Sequence, residues 1–296
     1  MTVPIAIIGA GPAGITAAVQ LRRSGIEFLL LEKSRAGGLL NEANCVENFP
    51  GVPGGVAGRL LATRLKRQLA AAGIQIKKAR VTHLAYDDRR FTLCTERETL
   101  TAARVILACG TVPLPPGPPL DTENLRGRLF AGVLPLLKAR GETIAIIGGG
   151  DAACDYALSL VGNNEVHILV RSRRPRALPL LVDRCRRLGV VWHENFRLTR
   201  AEVLAGEAGM VLHARDAHGE DTGGILCQRL LTAIGREPAL GFLAPELRAA
   251  LPELAARKAV FLAGDVGNGG FRQAAIAAAG GLRAAMEIHE GGSRCT

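Results

Sequence analysis

Aromatic residues are scarce in this 296-residue sequence: Phe, Trp and Tyr together make 4%, with one Trp and two Tyr. Single-stranded nucleic acid is held by stacking bases on aromatic rings. So thin a supply excludes that partner, despite a net charge of +10. No apolar stretch approaches the ~20 residues that a spanning helix needs, which excludes a membrane-crossing chain. No basic segment precedes the first strand pattern, so no secretory leader is expected. The seven cysteines, at 45, 94, 109, 154, 185, 227 and 295, are odd in number and include no C-x-x-C pair. That excludes a disulfide framework and a structural zinc site, and points to the reducing cytoplasm. His83, His167, His193, His213, His218 and His289 show no metal-ligand spacing.

Glycine, by contrast, is abundant and placed. Pro4-Ile5-Ala6-Ile7-Ile8 runs into Gly9-x-Gly11-x-x-Gly14 and an Ala-rich helix pattern. Thr143-Ile144-Ala145-Ile146-Ile147 runs into Gly148-x-Gly150-x-x-Ala153 and a second such pattern. A strand, a glycine turn and a helix in that order form a dinucleotide fingerprint. Gly9 permits the tight turn, Gly11 lets backbone approach a pyrophosphate, and Gly14 lets helix pack on strand. The helix N-terminus offers free N–H groups to the phosphates. Two such units one domain apart predict two dinucleotides in one chain, and electron transfer as the purpose.

The two sites differ at the tip of their second strand. After Phe28–Leu31 the first carries Glu32, whose carboxylate can accept from both ribose hydroxyls. That suits FAD or NAD and leaves no room for a 2′-phosphate. After Glu165–Val170 the second has Arg171, Arg173, Arg174 and Arg176, with no acid. Guanidinium groups grip phosphate through charge-assisted bonds, so NADPH is expected there.

Between the motifs, residues 33–58 read as an ordered Gly- and Pro-rich loop over a ligand, and 59–72 as a helix with basic outer positions. Short strands are expected at Ile74–Ile76, Val81–Leu84 and Phe91–Cys94, with a buried strand at Val105–Ala108. The Pro-dense stretch 113–119 reads as a linker. Val211–His213 and Leu230–Ile234 read as later strands of the second domain, with a hinge near 236–241. Ala259–Ala263 and a helix from Gln273 to His289 look like the completion of the first domain. The expected fold class is α/β, with two Rossmann-like nucleotide-binding domains, the second inserted into the first. The boundaries are 1–112 plus 240–296 for FAD and 113–239 for NADPH.

In this order the motifs resemble the thioredoxin reductase-like flavoproteins. Gly37-Gly38-Leu39 followed by Val46-Glu47-Asn48-Phe49-Pro50-Gly51 is similar to that family's isoalloxazine-side loop. The segment from Ala233 to Pro238 is similar to its hinge strand. Ala263-Gly264-Asp265-Val266 is similar to the segment whose Asp holds the ribityl chain. Phe271-Arg272-Gln273-Ala274 is similar to the turn that aims a helix N-terminus at the flavin pyrimidine, where N–H groups stabilise the charge of reduction. The resemblance covers nearly the whole chain and implies FAD, NADPH and a homodimer. It places Gly9, Gly11, Pro12, Ala13, Gly14, Glu32, Lys33, Gly38, Leu39, Asn48, Gly110, Gly264, Asp265, Arg272, Gln273 and Ala274 at FAD. It places Gly148, Gly150, Asp151, Ala152, Ala153, Arg171, Arg173, Arg174, Arg176, Ile234, Gly235 and Arg236 at NADPH.

One departure sets the function apart. Thioredoxin reductases carry C-x-x-C shortly before the second glycine strand, and here that stretch reads Phe130-Ala131-Gly132-Val133-Leu134-Pro135-Leu136-Leu137. Without a dithiol, the expected activity is an FAD-dependent NADPH oxidoreductase that hands electrons to a carrier, as ferredoxin–NADP reductases of this architecture do. The basic clusters Arg64-Lys66-Arg67, Lys77-Lys78 and Arg184-Arg186-Arg187 suit an acidic carrier protein. A monothiol disulfide reductase acting through Cys45 is the alternative, and a non-catalytic redox sensor a third. Cys109 and Cys154 read as packing residues and Cys295 as incidental.

Overall fold

The computed structural model describes residues 2–204, 209–215 and 219–293. His218 and Cys295 lie outside them. The chain divides into two compact units. The first contains Met1–Asn41, Cys45–Val112 and Glu237–Thr296, and the second contains Glu42–Asn44 and Pro113–Arg236.

In the first unit β1 (Thr2–Ile8), α1 (Pro12–Arg23), β2 (Leu29–Glu32), α2 (Gly58–Ala71), β3 (Ile76–Lys78), β4 (Val81–Tyr86), β5 (Phe91–Thr95) and β6 (Thr99–Leu107) follow in order. Strand β7 (Thr111–Pro113) leads to the second unit. That unit holds β8 (Leu129–Phe130), β9 (Thr143–Ile147), α3 (Asp151–Leu160), β10 (Glu165–Leu169), α4 (Pro179–Arg187) and β11 (Val191–His193). It goes on through β12 (Arg197–Val203), β13 (Met210–Arg215), β14 (Asp221–Cys227) and β15 (Arg229–Thr232). Strand β16 (Arg236–Pro238) leads back to α5 (Pro245–Ala256), β17 (Val260–Leu262) and α6 (Ala274–Ser293).

The first sheet has the order β3-β2-β1-β6-β5-β4, with β17 also on β6. Strand β6 is long enough to serve two partners on the edge away from β1. Its N-terminal half pairs antiparallel with β5, and Val105 to Leu107 pair parallel with Val260 to Leu262. The second sheet, β11-β10-β9-β15-β8, is parallel throughout. Its central strand is buried on both faces, with Ile144, Ala145 and Ile146 all at 0% exposure, as a doubly covered parallel strand requires. A three-stranded antiparallel sheet, β12-β13-β14, packs Met210, Leu212 and Ala214 into a separate core with Phe196 and Leu125. The connecting strands β7 and β16 pair as a two-stranded ribbon.

Strands β1 and β9 each lie between a following neighbour on one side and a much later strand on the other. Both glycine turns therefore leave their sheets at a topological switch point, where open α/β sheets bind ligands.

Several expectations need correction. The strand expected at Ile74–Ile76 is shifted to Ile76–Lys78, in register with Leu30 to Glu32. Ile74 is instead a buried residue ahead of it. Helices α4 and α5 were not anticipated. In α4 the buried positions are only Val182 and Cys185, amid four charged residues. In α5 a proline, Pro252, sits inside a helix that buries Leu247, Leu251 and Leu254.

Candidate functional site

In the first unit the three glycines divide their work as their geometry dictates. Gly9 has φ +107, and a Cβ there would lie 2.4 Å from the Ala108 carbonyl oxygen. A Cβ on Gly14 would lie 1.8 Å from the Gly9 carbonyl oxygen. Both are close-approach positions inside the protein. Gly11 is different: its backbone is extended, and a Cβ would meet only Gly38 Cα, at 4.0 Å. Gly11 and Gly38 thus face each other as bare backbone across a gap that a side chain on either would fill. Gly37 N–H donates to the Ala10 carbonyl at 2.7 Å and stitches the two segments together. Pro12 opens α1, Ala13 follows it, no side chain caps the helix, and its first turn holds no acid. Those N–H groups are available to an anion.

Glu32 is buried at the end of β2. Its Oε2 accepts from Ala10 N–H at 2.8 Å and its Oε1 from Ser34 N–H at 2.9 Å. Two backbone donors fix the carboxylate beside the glycine turn while each oxygen keeps further acceptor capacity. Lys33 is exposed just beyond it, and Leu39 is half-buried in a single helical turn, Gly38–Asn41.

The C-terminal segment closes on the same turn. A Cβ on Gly281 would fall 1.9 Å from the Ala13 carbonyl oxygen, and one on Gly264 (φ +82) 2.8 Å from Ala13 Cβ. Gly281 therefore lets α6 lie directly on the start of α1, and Gly264 lets the segment after β17 approach the same residue. Asn48 Nδ2 donates to Gln273 Oε1 at 3.0 Å, so the loop and the α6 N-terminus meet as well. Gln273 directly precedes α6, whose first residue is Ala274, after Arg272. Gly110 has φ +66 with open space around it.

The second unit repeats the plan with different walls. Gly148 has φ +147, and a Cβ there would lie 2.4 Å from the Ala233 carbonyl oxygen, whereas Gly150 has nothing within 4 Å. Ala153, in the place of a third glycine, is fully buried. Asp151 Oδ1 accepts from Leu178 N–H at 2.8 Å and holds the segment after the arginines to the start of α3, with Ala152 exposed beside it. A cavity of about 470 Å³ opens here, walled by Pro116 to Pro119, Gly148, Gly149, Arg171, Arg176 and Ile234. Gly235 (φ +125) and Arg236 follow Ile234 into β16. A second cavity, about 600 Å³, is lined by Arg171, Ser172, Arg173, Asn195 and Arg197. Arg174 lines neither cavity, and its carbonyl accepts from Ser172 Oγ at 2.8 Å. Arg197 and Asn195 are residues that reading the sequence missed.

Residues 3–281 match the model of the pyridine nucleotide-disulphide oxidoreductases. The chain belongs to that family. It is 31% identical over 318 residues to thioredoxin reductase of Eremothecium gossypii, across 97% of each chain. Its fold is similar to that of the T. acidophilum thioredoxin reductase structure, which superposes with a TM-score of 0.85 at 23% identity, over 99% of each chain. The bacillithiol disulfide reductase of Staphylococcus aureus gives 0.77 at 17% identity, over 98% of this chain and 99% of the other. The protein is thus an FAD-dependent NAD(P)H oxidoreductase of the thioredoxin reductase family, whose members use FAD and NADPH. The glycine cradles and the two contrasting strand tips fit that pair of cofactors.

The thiols sort by environment. Cys45 is exposed. Cys109, next to the first glycine turn, has its thiol pushed up to about 12 by burial, against a smaller opposing pull from Lys33. Burial pushes Cys227 up to about 12 as well. Cys185 donates to the Cys154 carbonyl at 3.7 Å, and both are buried between α3 and α4. Thiolates, not thiols, are nucleophiles. Iodoacetamide at neutral pH is expected to alkylate Cys45 in the native protein and to reach Cys109 and Cys227 only after unfolding. Peptide mass mapping checks this, and labelling of Cys109 as fast as Cys45 would contradict it. Among the described residues no helix is long and apolar enough to cross a membrane.

Proposed function

We propose that the first unit binds FAD, that the second binds NADPH, and that the electrons leave for an acidic carrier protein rather than for a dithiol of this chain. The observation that carries the reading is the stretch 126–142, which contains no cysteine. It forms β8 and a single helical turn, Leu134–Leu136, with Val133 and Leu136 packed into the core.

When bound, the two cofactors supply the redox chemistry, a hydride given by the nicotinamide and taken by the flavin. The protein binds and orients. Gly11, Gly38 and the α1 N-terminus receive the FAD pyrophosphate, and Glu32 its ribose. Asp265 would hold the ribityl chain. The N–H groups that open α6, held by Gln273 to Asn48, take the pyrimidine edge. Gly150 and the α3 N-terminus receive the NADPH pyrophosphate, and the arginines after β10 its 2′-phosphate.

The carrier reading draws support from charge. Helix α2 has no acidic residue, and Arg59, Arg64 and Arg67 are exposed along it. Elsewhere the basic clusters are partly offset: Lys77 pairs with Glu98, and Arg186 with Glu194 at 3.8 Å. A homodimer in the cytoplasm is the expected state. A second reading, a monothiol disulfide reductase, rests on the exposure of Cys45 alone.

The nucleotide assignment is tested by Arg173→Ala. A charged hydrogen bond to phosphate is worth roughly 1.5–3 kcal/mol. NADPH binding is expected to weaken about tenfold or more, with NADH binding unchanged. Equal affinity of the wild type for the two nucleotides, unaltered by the substitution, would refute it.

A further inference from the structure

We propose that Arg197, delivered by β12 from beyond the β9–α3–β10 segment of the second unit, is a specificity-determining anchor for the 2′-phosphate of NADPH. The inference rests on the NADPH reading of the second unit and extends it to a residue that no motif marks.

Arg197 lies 26 residues beyond Arg171 in sequence (197 minus 171), yet both line the 600 Å³ cavity with Arg173. The chain between them is brought back by a tight turn. Asn195 has φ +58, a left-handed conformation that Asn tolerates better than most residues. Its N–H donates to the Ser172 carbonyl at 3.2 Å, and Phe196 N–H donates to the Val170 carbonyl at 2.9 Å. These bonds lay residues 195–197 alongside the tip of β10. Phe196 is buried and also walls the neighbouring cavity, so the segment is packed as well as bonded.

The charge arrangement asks for an anion. Arginine ion pairs in this unit engage Arg186, Arg200 and Arg229. Among the described residues, no carboxylate pairs with Arg171, Arg173 or Arg197. In the β12–β13 register Arg197 stands directly opposite Arg215, a like-charge pairing that destabilises a sheet. Arg215 has Asp221 as its other cross-strand neighbour, but Arg197 is on the edge strand and has none. A phosphate monoester brings about −1.5 to −2 charges at neutral pH. Placed among three guanidinium groups it offsets that repulsion and takes charge-assisted bonds from a fork geometry suited to it. ADP-ribose and NADH carry no group for this cavity.

The experiment titrates the FAD-loaded protein with NADPH, NADH, adenosine 2′,5′-bisphosphate, ADP-ribose and inorganic phosphate. Wild type, Arg197→Ala, Arg197→Lys, Arg173→Ala, Arg215→Ala and Gly150→Val are compared by calorimetry. Arg197→Ala is expected to weaken NADPH and the bisphosphate about tenfold, leaving ADP-ribose and NADH within twofold. Arg197→Lys should recover part of the loss, and Arg215→Ala, which removes the like charge opposite Arg197, should weaken the bisphosphate less than Arg197→Ala does. Unchanged flavin content and melting temperature show that the fold is intact. If Arg173→Ala loses the bisphosphate and Arg197→Ala does not, the proposal fails while the NADPH reading stands. If wild type binds neither nucleotide, or Gly150→Val binds as wild type, the underlying reading fails. Equal weakening of ADP-ribose and the bisphosphate by Arg197→Ala also overturns it.

Discussion

Gly11→Val is expected to purify as colourless protein, whereas the wild type is yellow and releases flavin on denaturation. The geometry makes this substitution unusually clean. A Cβ at Gly11 meets nothing of the protein closer than 4.0 Å, and its φ of −76° is open to any residue. Valine there leaves the fold intact and fills only the gap facing Gly38. Gly14 offers the contrast. A Cβ 1.8 Å from the Gly9 carbonyl oxygen must move backbone, and overpacking of that kind costs ~1–3 kcal/mol or more. Flavin absorbance of the folded variant is the measurement. The melting temperature should also fall, because a ligand bound only to the native state stabilises it by mass action. Yellow Gly11→Val with a full complement of FAD would remove the basis for placing the cofactor at this turn.

The second large effect is an absence of turnover. With NADPH and thioredoxin, no thioredoxin reduction is expected, because disulfide exchange needs a thiolate to attack and a second thiol to resolve. Residues 126–142 supply neither. An acidic one- or two-electron carrier should be reduced instead, and faster at low salt. Steering by opposite charge raises association by about 10–10³-fold and is screened over roughly 8 Å at physiological ionic strength. Rates that stay flat from low to high salt would argue against a carrier guided by α2. Efficient thioredoxin turnover would overturn the reading outright, and its loss in Cys45→Ser would then assign the thiol.

Much of the site was legible because its signals are local. A glycine turn between a strand and a helix is read within a dozen residues, and Glu32 or Arg171 sits at a fixed distance from it. The parts that escaped are those made by long-range return of the chain. Arg197 reaches the arginine cavity only because β12 follows a turn bonded back onto Ser172 and Val170. Gly281 belongs to no motif, yet it is what allows α6 to touch Ala13. Helix α4 was hidden because its inner face is two residues wide. Helix α5 was hidden by Pro252, although Leu247, Leu251 and Leu254 keep helical spacing around it.

The position of β17 has a consequence for how the protein is made. It adds to β6 after more than a hundred intervening residues, of which 113–236 run unbroken through the second unit. On the ribosome, domains fold as units when their chain has emerged. The interrupting unit can therefore finish while its host still lacks a strand. The host waits with the C-terminal half of β6 uncovered until Val260–Leu262 arrives, and Asp265 and α6 come later still. A nascent chain stalled before residue 260 would hold a mature nucleotide fold inside an unfinished one, with a bare sheet edge exposed to chaperones.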